Sequence, residues 1–162
     1  MSLASAEDII RILGLEPLDG EGGFFRRTWT SPVTIGDRPC GSAIYYLLTE
    51  DYKGFSAFHR LCTDEVYHFY LGDPVVLHLL RDDGTHKLIT LGSNFWAGEV
   101  PQAVVPAFVV QGSRLAPGGR WALLGTTMAP AFALEDFSLV GRAELLESHP
   151  HCAELVKSLT RF

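Results

Sequence analysis

Residues 58–72 read Phe58-His59-Arg60-Leu61-Cys62-Thr63-Asp64-Glu65-Val66-Tyr67-His68-Phe69-Tyr70-Leu71-Gly72. Two histidines, two carboxylates and two tyrosines sit inside a span otherwise patterned like buried strands. A folding core needs none of these polar groups, and each costs about 1–3 kcal/mol when buried without a partner. They therefore line a cavity or belong to a satisfied network. Strand alternation sorts them: Glu65, Tyr67, Phe69 and Leu71 share one face, and Val66, His68 and Tyr70 the other. If Glu65 points inward, His68 points outward unless a bulge re-aims it.

Other strand-like runs surround this one. Phe24–Thr30 places Arg26 and Thr28 on one face, with Arg27 and Trp29 on the other. Residues 43–49 are apolar, and Tyr52-Lys53-Gly54 reads as a connection. Val75–Leu80 and 87–91 flank Asp82-Asp83-Gly84, a hairpin signal. Residues 102–110 are β-rich and broken by Pro106. Trp121–Met128 follows the turn Pro117-Gly118-Gly119, and 128–138 reads as a loop. At the N-terminus, Ser5 and Asp8 form a capping box for a short helix that Gly14 ends. The tail is helical from Glu144, interrupted at Pro150 and helical again over 153–159. Many short strands between terminal helices predict an all-β sandwich or barrel.

The chain has 162 residues, 47% hydrophobic and 20% charged, which suits one domain over 1–162. Its core strands occupy about 24–140 and its C-terminal helical segment about 142–160. A net charge of −6 argues against nucleic acid as a partner. No apolar run approaches the roughly 18 residues of a membrane span, and no signal peptide is visible. Cys40, Cys62 and Cys152 are sparse, odd in number and form no Cys-x-x-Cys pair, as expected of reduced thiols in the cytoplasm. Cys62 reads as a small apolar filler in preference to a nucleophile.

His59, Glu65 and Gly72 stand at the first, third and fourth places of the first cupin motif, and Leu61 occupies the place of its second His. Further matches are Glu21-Gly22-Gly23-Phe24-Phe25-Arg26, Pro101-Gln102-Ala103-Val104-Val105-Pro106, Leu124-Gly125-Thr126-Thr127-Met128-Ala129-Pro130 and Asp136-Phe137. On these residues the chain resembles the small single-domain cupin family of unknown function, the "cupin five" type, related to deoxysugar-nucleotide 3,5-epimerases. The resemblance implies a double-stranded β-helix, a jelly-roll barrel with a pocket at one end, in a homodimer. Phe108 stands where the second cupin motif has Gly, and Gln111 where it has His. Val109-Val110 replaces a usual aromatic, and Asp19 lies near a usual His.

The resemblance also suggests roles. In a metal-free reading His59 is a general base, Glu65 orients it, and Tyr67 is an acid or hydrogen-bond donor. Arg26 holds an anionic group, and Thr28, His68, Gln102 and Gln111 contact the ligand. The ligand is a small polar metabolite, a sugar or sugar nucleotide, and the activity an epimerase or isomerase. No cofactor is favoured. A divalent metal on His59, Glu65 and Gln111 makes the rival, a metal-dependent enzyme such as a dioxygenase, although a neutral amide is a poor substitute for imidazole. A non-catalytic ligand-binding module is the third reading. His78 and His86 read as a solvated edge. His149-Pro150-His151 reads as a helix start in preference to a metal site. Phe95, Trp96 and Phe108 read as a sugar-stacking wall, core or an interface.

Overall fold

The computed structural model describes residues 5–51 and 54–162, so Tyr52 and Lys53 of the expected connection lie outside the described residues. Helix α1 (Ala6–Leu13) begins with the expected capping box: Ser5 accepts from the Asp8 amide, and the Asp8 carboxylate accepts from the Ser5 amide. Strands β1 (Glu16–Pro17), β2 (Phe24–Thr30), β3 (Thr34–Ile35), β4 (Arg38–Pro39), β5 (Ser42–Thr49), β6 (Phe55–Leu61) and β7 (Glu65–Gly72) follow. Then come β8 (Val75–Leu80), β9 (His86–Leu91), β10 (Gln102–Val105), β11 (Val110–Leu115), β12 (Trp121–Met128) and β13 (Phe137–Leu139). The chain ends in α2 (Arg142–Ser148), a 3-10 turn at Pro150–Cys152, and α3 (Ala153–Ser158). β13 corrects the expected loop over 128–138. It is only three residues long, too short for alternation to register.

Two sheets face each other. One runs β1-β2-β5-β12-β7-β10 and the other β13-β6-β11-β8-β9, while β3 and β4 pair as a separate ribbon. Tyr46, Leu48, Tyr67, Leu124 and Val105 of the first sheet pack against Leu77, Leu79, Leu91 and Leu115 of the second. Helix α1 covers the outer face of the first sheet, placing Ile9 with Leu15, Leu47 and Trp121. Helices α2 and α3 cover the outer face of the second, where Leu145, Val156 and Leu159 pack on Phe58 and Val110.

The expected double-stranded β-helix, closed as a jelly-roll barrel, is not formed: both sheets are open. Their edges are β1 and β10 in one and β13 and β9 in the other. At the β9–β10 side an isolated bridge, Leu91 to Val100, spans the gap, and side chains fill the rest. On the other side β1 has two residues, one of them Pro17 with no N–H, and β13 has three. Strands this short, one lacking a donor, carry too few hydrogen bonds to close a barrel. The fold is an all-β cupin type with flanking helices and one unsealed side.

The expected solvated edge holds for exposed His86 on the edge strand β9, but His78 needs correction. His78 is buried on the face of β8 opposite Leu77 and Leu79, and its Nδ1 hydrogen-bonds His86 Nε2 at 3.0 Å. His149 is buried nearby, its Nε2 donating to the Arg81 carbonyl at 3.0 Å, with the His151 ring 6.0 Å away. The C-terminal helices cover this face, which is why a turn-flanking histidine becomes buried. Burial, then the neighbouring His86 and Arg114 charges, lower the His78 pKa to about 4. Protonation therefore favours the unfolded chain. This stabilisation is complete above about pH 6.5 and lost as pH falls through about 4. Chemical denaturation at pH 7.5 and pH 4.5 is expected to show a loss on the order of 1–2 kcal/mol that His78→Phe reduces. An unchanged pH slope in the variant would refute this assignment.

Candidate active site

The unsealed side opens onto a cavity of about 280 Å³ between the sheets. Its floor carries Tyr46 from β5, His59 from β6, Glu65 and Tyr67 from β7, and Thr126 from β12. Phe25 of β2, Phe137 of β13 and Phe132 form aromatic walls. Exposed Asp19, Arg27 and Leu134 reach the rim, and Glu21 joins from the loop before β2. The opening thus lies where the short edge strands fail to pair.

His59 is 2% exposed, and its Nδ1 is 2.8 Å from the Ala57 carbonyl oxygen. A carbonyl can only accept, so Nδ1 carries a proton, and the tautomer with a free lone pair is the one that has it on Nε2. The ring packs against Phe137 with centroids 5.2 Å apart. Its orienting hydrogen bond therefore comes from the Ala57 carbonyl.

Glu65 is 7% exposed and accepts from Gln111 Nε2 at 2.9 Å. Burial pushes its carboxyl above the ordinary range. The Glu21 charge adds to this, while His59 and hydrogen bonds from Thr126 and Gln111 oppose it. The native state thus favours the neutral acid, and the stabilisation is lost as pH rises from the ordinary carboxylate range through the folded pKa. Glu65→Gln keeps an acceptor for Gln111 and removes the ionisation. It is expected to be more stable than wild type at pH 8 and no more stable at pH 4, read by urea denaturation. Equal stabilities at pH 8 would refute it. Tyr46 and Tyr67 are held protonated: burial raises both hydroxyls well above their ordinary value, and the Glu21 and Glu65 charges add to it.

The other expected site residues are placed as follows. Gln111 is buried behind Glu65, pairing with His59 across β11 and β6. Arg26, Thr28, His68 and Gln102 do not line the cavity. Arg26 lies over the Tyr45 ring at 5.7 Å, and Thr28 donates to the Ala43 carbonyl at 3.2 Å. His68 stacks with Tyr70 and hydrogen-bonds Thr127 at 3.1 Å, and Gln102 Nε2 is 3.4 Å from its Nδ1. Arg26, His68 and Gln102 lie on the outer face of the first sheet, as the alternation argument required of His68 once Glu65 turned inward, and Thr28 sits at the register shift between Arg27 and Trp29. Cys62 is exposed just past the end of β6, so it fills no core. Phe95, Trp96 and Phe108 are exposed and do not line the cavity.

Sequence reasoning missed Glu21, Arg27 and Tyr46 as cavity residues. Ser56 donates to Glu21 Oε1 at 2.7 Å, and the Tyr46 hydroxyl donates to the Gly22 carbonyl at 2.9 Å. A tyrosine within an apolar strand, and an arginine sharing the face of Phe25, were the available signals.

The donor set does not suit a divalent metal, the group that the cupin resemblance implies. Among the described residues no three His, Cys, Asp or Glu side chains come together to hold one. Leu61 stands where a second histidine would serve. Gln111 turns its amide N–H to Glu65 and leaves Oε1 without a partner. One imidazole, one carboxylate and a neutral amide oxygen do not make a fitting set.

Two facing sheets with a polar-floored cavity and flanking helices define a cupin-type protein. The chain belongs to the family described as Cupin superfamily (DUF985), which matches residues 7–140. It is 31% identical over 144 residues to an uncharacterized protein of Saccharomyces cerevisiae, covering 77% of this chain and 71% of that one. An X-ray structure of a protein from Shewanella oneidensis superposes with a TM-score of 0.90 at 33% identity, covering 98% of this chain and 99% of the other. A hypothetical protein from Leishmania major gives 0.87 at 28%, covering 97% and 99%. Among the described residues no helix is long and apolar enough to cross a membrane.

Proposed function

We propose that the cavity binds a small polar carbonyl metabolite, a sugar or sugar nucleotide, and moves a proton at the carbon beside its carbonyl. The observation that carries this reading is the His59 ring: the Ala57 carbonyl holds Nδ1–H, leaving Nε2 as the basic atom of a buried imidazole that lines the cavity with Glu65 and Tyr67. Nε2 takes the proton from carbon, and the C–H electron pair becomes the new C=C bond of an enediol. The carbonyl π pair moves to oxygen, where a neutral hydroxyl such as Tyr67 donates a hydrogen bond. Return of the proton from His59 to the former carbonyl carbon gives an isomer, as the α-hydroxyl proton passes to the former carbonyl oxygen and the C=C pair forms the new C–H bond while the new C=O closes on the α-carbon. Return of a proton to the α-carbon from the other face requires a second donor, for which Tyr67 and Tyr46 are held protonated.

The test is incubation with keto sugars and their phosphates in D2O, followed by NMR. Loss of the α-proton signal above the protein-free rate supports proton transfer. Saturable binding without exchange would replace this reading with a non-catalytic binding module. Binding of none of these compounds would overturn both.

A further inference from the structure

Resting on the carbonyl-binding reading above, we propose that Arg27 makes the cavity select compounds that carry a phosphate ester at the end remote from the carbonyl. The argument is one of polarity and size. The interior holds two carboxylates, Glu21 and Glu65, and the Glu21 charge already acts on Glu65. An anion placed at this depth meets both with little water to screen them. The rim is different. Arg27 lies on the inward face of β2, paired with Ile44 and two residues from Phe25, both of which line the cavity. It is exposed, and its guanidinium carbon is 5.8 Å from the centroid of the Phe132 ring.

Among the described residues Arg11, Arg38 and Arg60 each pair with a carboxylate, whereas Arg27 has no such pair, even with Asp19 on the same rim. A guanidinium resting on an aromatic face keeps its in-plane N–H fork free, and that fork matches two phosphate oxygens. The volume sets the order of the groups. About 280 Å³ lies at the bottom of the roughly 300–1,000 Å³ range of ligand sites, so it takes a sugar-sized carbon skeleton and little more. A larger substituent leaves through the gap between β2 and β13, past Arg27. The carbonyl then sits with His59 on the floor and the phosphate at the mouth.

Calorimetric titration of fructose 6-phosphate and fructose into wild type, Arg27→Gln and Arg27→Lys tests this. Wild type is expected to bind the phosphate at least about 10-fold more tightly, the value of one charge-assisted contact. That preference falls to near unity in Arg27→Gln, and Arg27→Lys keeps part of it. Added salt weakens the phosphate alone. A preference that survives in Arg27→Gln, equal binding of the two sugars by wild type, or no saturable binding of the phosphate at millimolar concentration overturns the proposal. Arg27 is exposed, so its variants are expected to melt with wild type. The D2O exchange experiment is scored separately: no exchange with the phosphate preference intact removes the isomerase reading and leaves this one standing.

Discussion

Replacing His59 by Gln is expected to lower α-proton exchange by about 10²–10⁴-fold, the span usual for a positioned general base. The side-chain amide can still donate to the Ala57 carbonyl, which now holds Nδ1 at 2.8 Å. The buried position therefore stays hydrogen-bonded and of similar size, and the fold is expected to hold. What disappears is the lone pair on Nε2, because an amide offers no base near neutral pH. Ligand binding is expected to change little, so the loss falls on the exchange rate and not on affinity. His59→Ala is the harsher control: it opens a void against Phe137 and leaves the Ala57 carbonyl without its donor. Thermal midpoints separate the two causes. A His59→Gln protein that exchanges at the wild-type rate would end the role assigned to His59.

Gly72→Ala is expected to cost about 3–4 kcal/mol of stability. Two penalties coincide at this residue. Its φ of +103° is one that side-chain-bearing residues rarely adopt. A Cβ there would also lie 2.4 Å from the Trp121 carbonyl oxygen and 2.9 Å from the Trp121 ring. That oxygen cannot retreat freely, since it accepts from the Asp73 amide at 2.8 Å. Gly72 pairs with Ala122 where β7 meets β12, close to a register shift between Leu123 and Leu124. Gly84→Ala is the matched control: φ is +81°, but nothing lies within 4 Å of the added carbon. It is expected to cost roughly 1 kcal/mol from backbone strain alone. Urea unfolding of both variants checks the difference, and equal costs would show that the contact with Trp121 does not matter.

These cases show which features could be read from the chain alone. The Gly72 position was legible as a motif place seven residues after Glu65, but its cause, a close approach to Trp121, belongs to the β7–β12 pairing. Alternation assigned Glu65 and Tyr67 to one face and His68 to the other because a strand's period is local. In β2 the same rule separated Arg26 from Arg27 but did not say which faced inward. Arg26 was preferred for the ligand, yet Arg27 reaches the cavity and Arg26 lies over Tyr45 on the outer face.

By itself, then, the sequence determined the all-β class with a capped N-terminal helix and a helical tail, the boundaries of β2 and β12, and the shared strand face of Glu65 and Tyr67. Each follows from periodicity or residue type over a few neighbouring positions. Tertiary structure alone decided that the sheets remain open, that Glu21 and Tyr46 join the floor, and that His78 is buried against His86 on the face the C-terminal helices cover. The reason is that sheet closure and side-chain convergence depend on which distant strands pair and how far. Edge strands of two and three residues cannot complete the ladder, and that unpaired side is where the cavity opens.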